Sequence, residues 1–386
     1  MWKVDIVLEN KISAKNKIVV IGKNHHNALG IIRSLGEYGF ELYFICLDME
    51  KSFVRKSKYI KESWCIEDDF ELFALLKSKF IYKNNTILMP ADDFATSILD
   101  SNLEELSKNF ILPNINSQNN EINRIMNKTV MNEIAKRHSF NVPKDFHFDL
   151  EDEKAFNDIL KNLKFPYIIK PLKSIEGEKT NILIVQNSEE FKASIQTLRK
   201  KKISKVLVQE FIEKTGEVGI QGVVTYNRKE VIISGIINKV RTSKSAPGST
   251  SYGEILDTHS KVNLEVLKNL LHDVGYVGIF DIEMVYNEVE TYFIEINFRN
   301  GAYGYAFTKA GVNLPAIWCL EAMGIEISSL QKFIKKRISF MNELSDIKNI
   351  GNKLSALKWF SQFLKSDTYL TLNTSDIKPF IFRIIY

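Results

Sequence analysis

The stretch EMVYNEVETYFIEINFR, Glu283 to Arg299, decides how the chain is read. Side chains alternate faces along a strand, so Glu295, Asn297 and Arg299 share one face while Ile294, Ile296 and Phe298 share the other. Just upstream, Asp281 and Glu283 point one way and Phe280, Ile282 and Met284 the other. A turn around Asn287 would pair the segments Phe280–Val285 and Thr291–Phe298 as a hairpin and set Glu283 against Glu295. Two opposed carboxylates repel unless a cation lies between them. A hard divalent ion with oxygen ligands would resolve the conflict, and the Asn297 carbonyl suits a third position. The plain alternative is a solvated sheet face, and pattern alone favours it. The stretch therefore has to be weighed with the rest of the chain.

Working outward, Lys17–Gly22 (KIVVIG) reads as a buried strand. The polar turn Lys23–Asn27 follows, then a helix over Ala28–Tyr38 that Gly39 stops. Glu41–Leu47 and Thr86–Met89 read as further strands, the latter ending at Pro90-Ala91-Asp92-Asp93. This alternation predicts a parallel α/β domain over the first hundred or so residues. No GxGxxG follows the first strand, so a dinucleotide site is not supported. Asn123–Ser139 has helical spacing, Phe165–Lys170 and Val206–Ile212 read as strands, Val218–Val240 as an antiparallel pair, and Leu264–Val274 as an amphipathic helix. The sharpest composition break lies at Ile115–Asn120. Residues 331–386 are Lys-rich and carry no assignable pattern.

Composition sets outer bounds. The chain has 386 residues, 45% hydrophobic and 26% charged, which suits two or three folded domains. The net charge of +5, from 52 basic and 47 acidic residues, is spread along the chain and is no nucleic-acid footprint. Three cysteines, Cys46, Cys65 and Cys319, without a CxxC suit a reducing compartment, and neither a signal peptide nor a membrane span is evident. A cytoplasmic location is the expectation. His25-His26 is tempting as a metal pair, but neighbours on a turn point different ways, and helix-start polarity or a substrate contact is the better reading. His138, His147, His259 and His272 lack zinc spacing. There is no GxSxG, HExxH or Walker A pattern.

Several segments resemble the ATP-grasp superfamily in its own order. Glu283, then Glu295-Ile-Asn297-Phe-Arg299 after Tyr292-Phe293-Ile294, is similar to its metal-binding strands. Asn127-Lys128 and Met131 before Asn141-Val142-Pro143 resemble its opening segment, Tyr167–Pro171 its strand ending in Lys-Pro, and Val208–Ile212 with Glu217 its adenine hinge. The resemblance covers residues 124 to 323. It implies a mixed α/β and α+β chain, an ATP-grasp fold with an N-terminal Rossmann-like domain. The expected division is residues 1–115, an ATP-grasp domain over 116–330 with a smaller lobe near 124–212 and a larger one near 213–330, and a C-terminal extension over 331–386.

The resemblance also implies roles. Lys128 and Lys170 would meet ATP phosphates; Gln209, Glu210, Phe211 and Ile212 would read adenine, and Glu217 the ribose. Glu283, Glu295 and Asn297 would hold magnesium, two ions in the usual case, with manganese as a substitute. Arg299 would act catalytically on the acyl phosphate. Lys239, Arg241 and Ser249 are substrate candidates, and Lys239, Arg241 and Lys244 would suit an acidic amino acid.

Softer motifs narrow the branch. Leu29–Gly36, Pro90–Asp93, Ala310–Pro315 and the loop Ser245–Thr250 resemble D-aspartate ligases and related carboxylate–amine ligases. The implied reaction joins a small-molecule, glycan or peptide carboxylate to an amine through an acyl phosphate, with a homodimer as the common assembly. Two competing readings are a carboxyphosphate-forming carboxylase, disfavoured because nothing suggests a biotin or carrier domain, and a nucleotide-binding regulator without catalysis. The sequence departs from the family pattern at Asn127, where Asp is usual, at Phe298, where Pro often stands, and in Lys173–Lys179, a loop with a single Gly.

Overall fold

The computed structural model describes residues 17–48, 50–81, 86–152, 165–171, 183–201, 203–244, 248–351 and 354–386. Met1–Asp5, the loop Lys173–Lys179 and Ser245–Pro247 lie outside the described residues. Strands β1 (Lys17–Gly22), β2 (Glu41–Cys46), β3 (Ile60–Cys65), β4 (Thr86–Pro90) and β5 (Phe110–Ile111) form one sheet in the order β3-β2-β1-β4-β5. Every pairing in it is parallel. Its central strands β1, β2 and β4 are near-continuous apolar runs because apolar clusters cover both faces, while the edge strand β3 is more polar and more exposed. The helix His26–Tyr38 follows β1, its start capped by the His25 ring, which accepts from the Asn27 N–H. That assigns His25 to helix-start polarity. The helix stops at Gly39, whose left-handed φ of 100° suits a residue without Cβ. Strand order reverses between β1 and β4, so a crevice opens beyond their carboxyl ends, at Lys23–Asn27 and Ala91–Asp93.

β6 (Asn114–Ile115) leads out of this domain. The expected helix over Asn123–Ser139 is two helices, Glu121–Ile125 and Lys128–Arg137. Asn127 breaks it, because its side chain accepts the Thr129 N–H and caps a new start. A four-stranded antiparallel sheet follows: β7 (Asp145–Asp149), β8 (Tyr167–Pro171), β9 (Leu183–Val185) and β10 (Lys205–Glu210), in the order β7-β10-β8-β9. The large sheet holds β11 (Gly216–Val224), β12 (Val231–Thr242), β13 (Thr250–Leu256), β14 (Tyr276–Tyr286) and β15 (Thr291–Asn297), extended by β16 (Ile338–Met341) and β17 (Thr368–Tyr369). β6 pairs with β14, so the first domain is stitched to the large sheet by backbone.

Residues past 331, unassigned by pattern, are built into the body. Arg33, fully buried on the first helix, donates from Nε to Asp376 at 3.0 Å and from Nη2 to the Thr371 and Asp376 carbonyls at 2.9 Å. Asp376 also accepts from Ser57 Oγ at 2.8 Å and the Lys58 N–H at 2.9 Å. Removing one partner of such a pair strands a buried charge. The Asp376→Asn variant should lose about 3 kcal/mol of stability, seen as a lower denaturant midpoint with an unchanged slope.

Candidate active site

β14 and β15 pair in antiparallel register with Asp281 opposite Asn297 and Glu283 opposite Glu295. Just past that rung the ladder shifts: Met284 pairs with Phe293, leaving Ile294 as the extra residue of a bulge. Ile294 therefore does not share the core face with Ile296, as strict alternation predicts. Phe293 is buried in its place, packing with Ile296 and Phe298 in the same cluster. The helix Lys128–Arg137 lies on this strand pair, with Met131, Ile134 and Ala135 in that cluster, which brings Lys128 to the carboxylate face.

Strands β8, β11, β12, β14 and β15 contribute the charged groups. Lys239 of β12, its side chain 1% exposed, reaches Glu283 at 2.8 Å and Glu217 of β11 at 3.5 Å. Burial works against its charge, but Glu283 and Glu217 together raise its pKa well above the ordinary lysine value. Lys170 of β8 donates to Gln209 of β10 at 2.7 Å. Burial and the nearby Lys128 bring its pKa down to about 8, against the pull of Glu295, Asp145 and Glu283. One buried lysine is thus held charged by two carboxylates, and the other is short of negative charge.

Arg299 lies beyond the end of β15. Its Nε donates to Asp93 at 3.0 Å, and its Nη1 reaches Asp281 at 3.4 Å and the Asn300 carbonyl at 3.2 Å. Asp93 follows β4, so the first domain's crevice opens onto this site. Asp281 is buried, and burial together with Glu283 pushes its pKa up to about 6, opposed by Arg299, Lys239 and a 2.9 Å hydrogen bond from Tyr303. Behind it, Asn27 donates to the Ala91 and Asn300 carbonyls at 2.6 Å, and Asn300 donates to Asn27 at 2.7 Å. Gln221 donates to the Asn300 side chain.

The structure brings Lys128, Lys170, Gln209, Glu217, Lys239, Glu283, Glu295, Asn297 and Arg299 near one another through these pairs and charges, and places the others differently. Glu210 accepts the Lys144 N–H at 3.3 Å through its carboxylate, and its own N–H donates to the Lys144 carbonyl at 2.8 Å. The Phe211 N–H donates to the Pro166 carbonyl at 3.3 Å, and Ile212 continues the chain past β10. Arg241 is closed on Asp346, with Nε to Oδ1 at 2.8 Å and Nη2 to Oδ2 at 2.7 Å, and its Nη1 donates to Gln362 at 3.1 Å. Ser249 meets Ser243 through its carbonyl at 2.8 Å. Sequence reading passed over Asp93, Asn300, Tyr303 and Gln221 as site residues. Asp281 was legible, being two residues before Glu283 on the same face.

Oxygen donors dominate where a metal would sit. Among the described residues no three acidic, His or Cys side chains form a metal cluster. The protein's own offer is two opposed carboxylates and the Asn297 amide. That amide is buried, and its Nδ2 makes no hydrogen bond among the described residues. Half a turn of the amide presents its carbonyl oxygen instead. This set fits a hard divalent cation whose other positions are filled by phosphate or water oxygens.

Comparison with known families settles the architecture. Residues 133–311 match the model of the ATP-grasp domain. The chain carries an ATP-grasp domain. Structures with the same fold include an L-amino acid ligase from Bacillus licheniformis, with a TM-score of 0.65 and 16% identity over 85% of this chain and 80% of that one. N5-carboxyaminoimidazole synthetase from Staphylococcus aureus gives 0.66 and 14% identity over 87% and 85%. The biotin carboxylase domain of Hydrogenobacter thermophilus 2-oxoglutarate carboxylase, solved with MgADP, ADP and bicarbonate, gives 0.63 and 16% over 84% and 73%. No curated protein gives a significant sequence match. The resemblance to D-aspartate ligases rests on the sequence motifs alone.

The raised Asp281 pKa has a sign that can be checked. Between the unfolded value near 4 and the folded value of about 6, the native state binds the extra proton, so stability falls as pH rises through that window. Asp281→Asn is neutral throughout. Its thermal midpoint should climb relative to the parent chain from about pH 4 to about pH 6, and a constant gap would refute the assignment.

Proposed function

We propose that this ATP-grasp chain is an ATP-dependent carboxylate–amine ligase of the cytoplasm, working through an acyl phosphate. The carrying observation is the opposed Glu283–Glu295 pair with Asn297, flanked by Lys170 and Lys128 on one side and Arg299 on the other. In this reading Glu283, Glu295 and Asn297 hold magnesium, which when bound neutralises phosphate charge and keeps the polyphosphate in line. Lys128 and Lys170 neutralise phosphate oxygens, and Lys170 suits the task because its charge is poorly compensated in the free protein. Gln209 fixes the Lys170 ammonium. Glu210, Phe211 and Ile212 border adenine, with a remaining carbonyl or side chain rather than the Phe211 N–H, and Glu217 accepts ribose hydroxyls.

Chemistry then needs position and positive charge more than a nucleophile. A substrate carboxylate oxygen attacks the γ-phosphorus and ADP leaves. The amine attacks the acyl carbon, loses its proton, and phosphate leaves with both electrons of the carbon–oxygen bond. Arg299, its planar fork steadied by Asp93 and Asp281, stabilises charge on the acyl phosphate and on the tetrahedral intermediate. An amino acid such as D-aspartate is the proposed substrate class, supported by the sequence motifs. Lys244, beside Ser243 on the loop, is the basic candidate for its side chain, since Lys239 and Arg241 already hold carboxylates. Carboxyphosphate formation is the second reading, favoured by the fold shared with N5-carboxyaminoimidazole synthetase and biotin carboxylase.

Magnesium-dependent ADP release is the test, run against a panel of amino acids with amine acceptors and, separately, bicarbonate, with products identified by mass. An amide product supports the ligase, ADP release with bicarbonate alone supports the second reading, and tight ADP binding without turnover supports a regulator. Glu295→Gln should abolish turnover with the thermal midpoint preserved; surviving activity would remove the metal assignment. MgADP affinity should weaken as pH rises through about 8, where Lys170 loses its proton. Lys170→Arg, charged throughout, should flatten that dependence in a calorimetric titration.

A further inference from the structure

The C-terminal residues carry an apolar surface that the ligase reading does not use. Of the sixteen large apolar side chains exposed among the described residues, ten lie past residue 331. The helix Ala356–Lys365 concentrates them: Leu357 is 84% exposed, Leu364 65% and Phe360 55%. At 100° per residue these three fall on one edge of the helix, with Lys358, Ser361 and Lys365 beside them. The opposite side holds the helix to the body. Trp359 stacks on Phe363 with centroids 5.1 Å apart, Phe363 meets Tyr369 at 4.8 Å, and Gln362 accepts from Arg241. The outward edge is therefore not the helix's packing face turned the wrong way; both sides are apolar, and only the side of Trp359 and Phe363 is partly covered.

Charge says what kind of surface would cover it. Residues 331–386 contain ten Lys and Arg against four Asp and Glu. Three of those four acids, Glu343, Asp346 and Asp376, are buried. Asp346 and Asp376 are bound to Arg241 and Arg33. Lys348, Lys358 and Lys365 are exposed, and no acidic side chain among the described residues pairs with them. The last helix, Lys378–Ile385, repeats the composition, with Ile381, Ile384 and Ile385 exposed beside Lys378. A second copy would bring the same cations against each other. An anionic layer with an apolar interior accepts both parts, Leu and Phe below the headgroups and Lys at their level.

We propose that the helix Ala356–Lys365 docks the protein on an anionic lipid surface, lying in the interface. No helix among the described residues is long and apolar enough to cross a membrane, and lying on one requires none. Docked this way, the ligase would meet an acceptor presented at a bilayer. The test is cosedimentation of the full chain with vesicles of phosphatidylcholine alone and of phosphatidylcholine mixed with phosphatidylglycerol. Binding should need phosphatidylglycerol and weaken with added salt. The double substitution Phe360→Glu with Leu364→Glu should lower it at least about tenfold while the thermal midpoint holds. Lys358→Ala with Lys365→Ala should lower it roughly thirtyfold by removing about 1 kcal/mol of attraction per lysine. No binding to either vesicle would overturn the proposal. So would phosphatidylglycerol binding that Phe360→Glu with Leu364→Glu leaves intact. A dimer in analytical ultracentrifugation that this double variant converts to monomer would assign the face to a second copy instead.

Discussion

The site is organised by the need to hold Glu283 and Glu295 opposite each other on one rung of a ladder. Like charges in that position destabilise a strand pair, so a cation must be supplied from outside the hairpin. In the free protein Lys239 serves Glu283 from two strands away and shares itself with Glu217. It cannot serve Glu295 as well to the same degree. One carboxylate of the rung is paired directly by Lys239, and the other meets the protein's cations, Lys170 and Arg299, only at longer range. The bulge immediately after the rung follows the same logic: it turns Phe293 into the core, so the hairpin stays anchored where its charged rung would otherwise loosen it.

The first domain is part of this arrangement. Its sheet reverses order between β1 and β4, and the helix starts that follow those strands supply Asn27 and Asp93. Asn27 is bound to Asn300 in both directions, and Asp93 holds the guanidinium of Arg299. The loop after β15 is therefore fixed from both sides, by the large sheet through Asp281 and Gln221 and by the first domain through Asn27 and Asp93. A guanidinium between two carboxylates from different domains is set in direction but not fully spent, because each acid binds a different part of the fork.

What could be read from the sequence follows from how local each feature is. The alternation from Glu283 to Arg299 displayed the charged face, since period two is a property of the strand itself. The stop at Gly39 was legible for the same reason, being set by a left-handed turn, whereas the helix start, read at Ala28, lies two residues earlier at His26 because the His25 ring caps it. The extra residue at Ile294 was not, because a bulge depends on the partner strand's packing. Arg241 stands two residues past Lys239 in an equally basic segment, yet its role is decided by Asp346, over a hundred residues away. Asn27 and Asp93 lay inside turns that were noticed, but their partners Asn300 and Arg299 come from the far end of the chain. The C-terminal residues were opaque because their structural role rests on single long-range pairs such as Arg33–Asp376, which leave no periodicity.

Lys170 and Lys239 show why neighbours matter more than residue type. Both are lysines on strands, both are buried, and burial alone would lower the pKa of each. Lys239 faces two carboxylates and is pushed up; Lys170 faces an amide oxygen and another lysine and is brought down to about 8. Lys239 is thus committed to holding the carboxylate face together, and its removal would release the repulsion it suppresses. Lys170 is an ammonium whose charge is incompletely answered, next to a carboxylate face where Glu295 acts on it and on Arg299 through space rather than by direct pairing. In the proposed reading, a polyphosphate carrying a divalent ion answers both deficits at once, the oxygens at Lys170 and Lys128 and the metal at Glu295. Neither a free phosphate nor a free cation does so alone. On that reading the site would favour the metal–nucleotide complex over either component alone, the selectivity that an enzyme spending ATP requires.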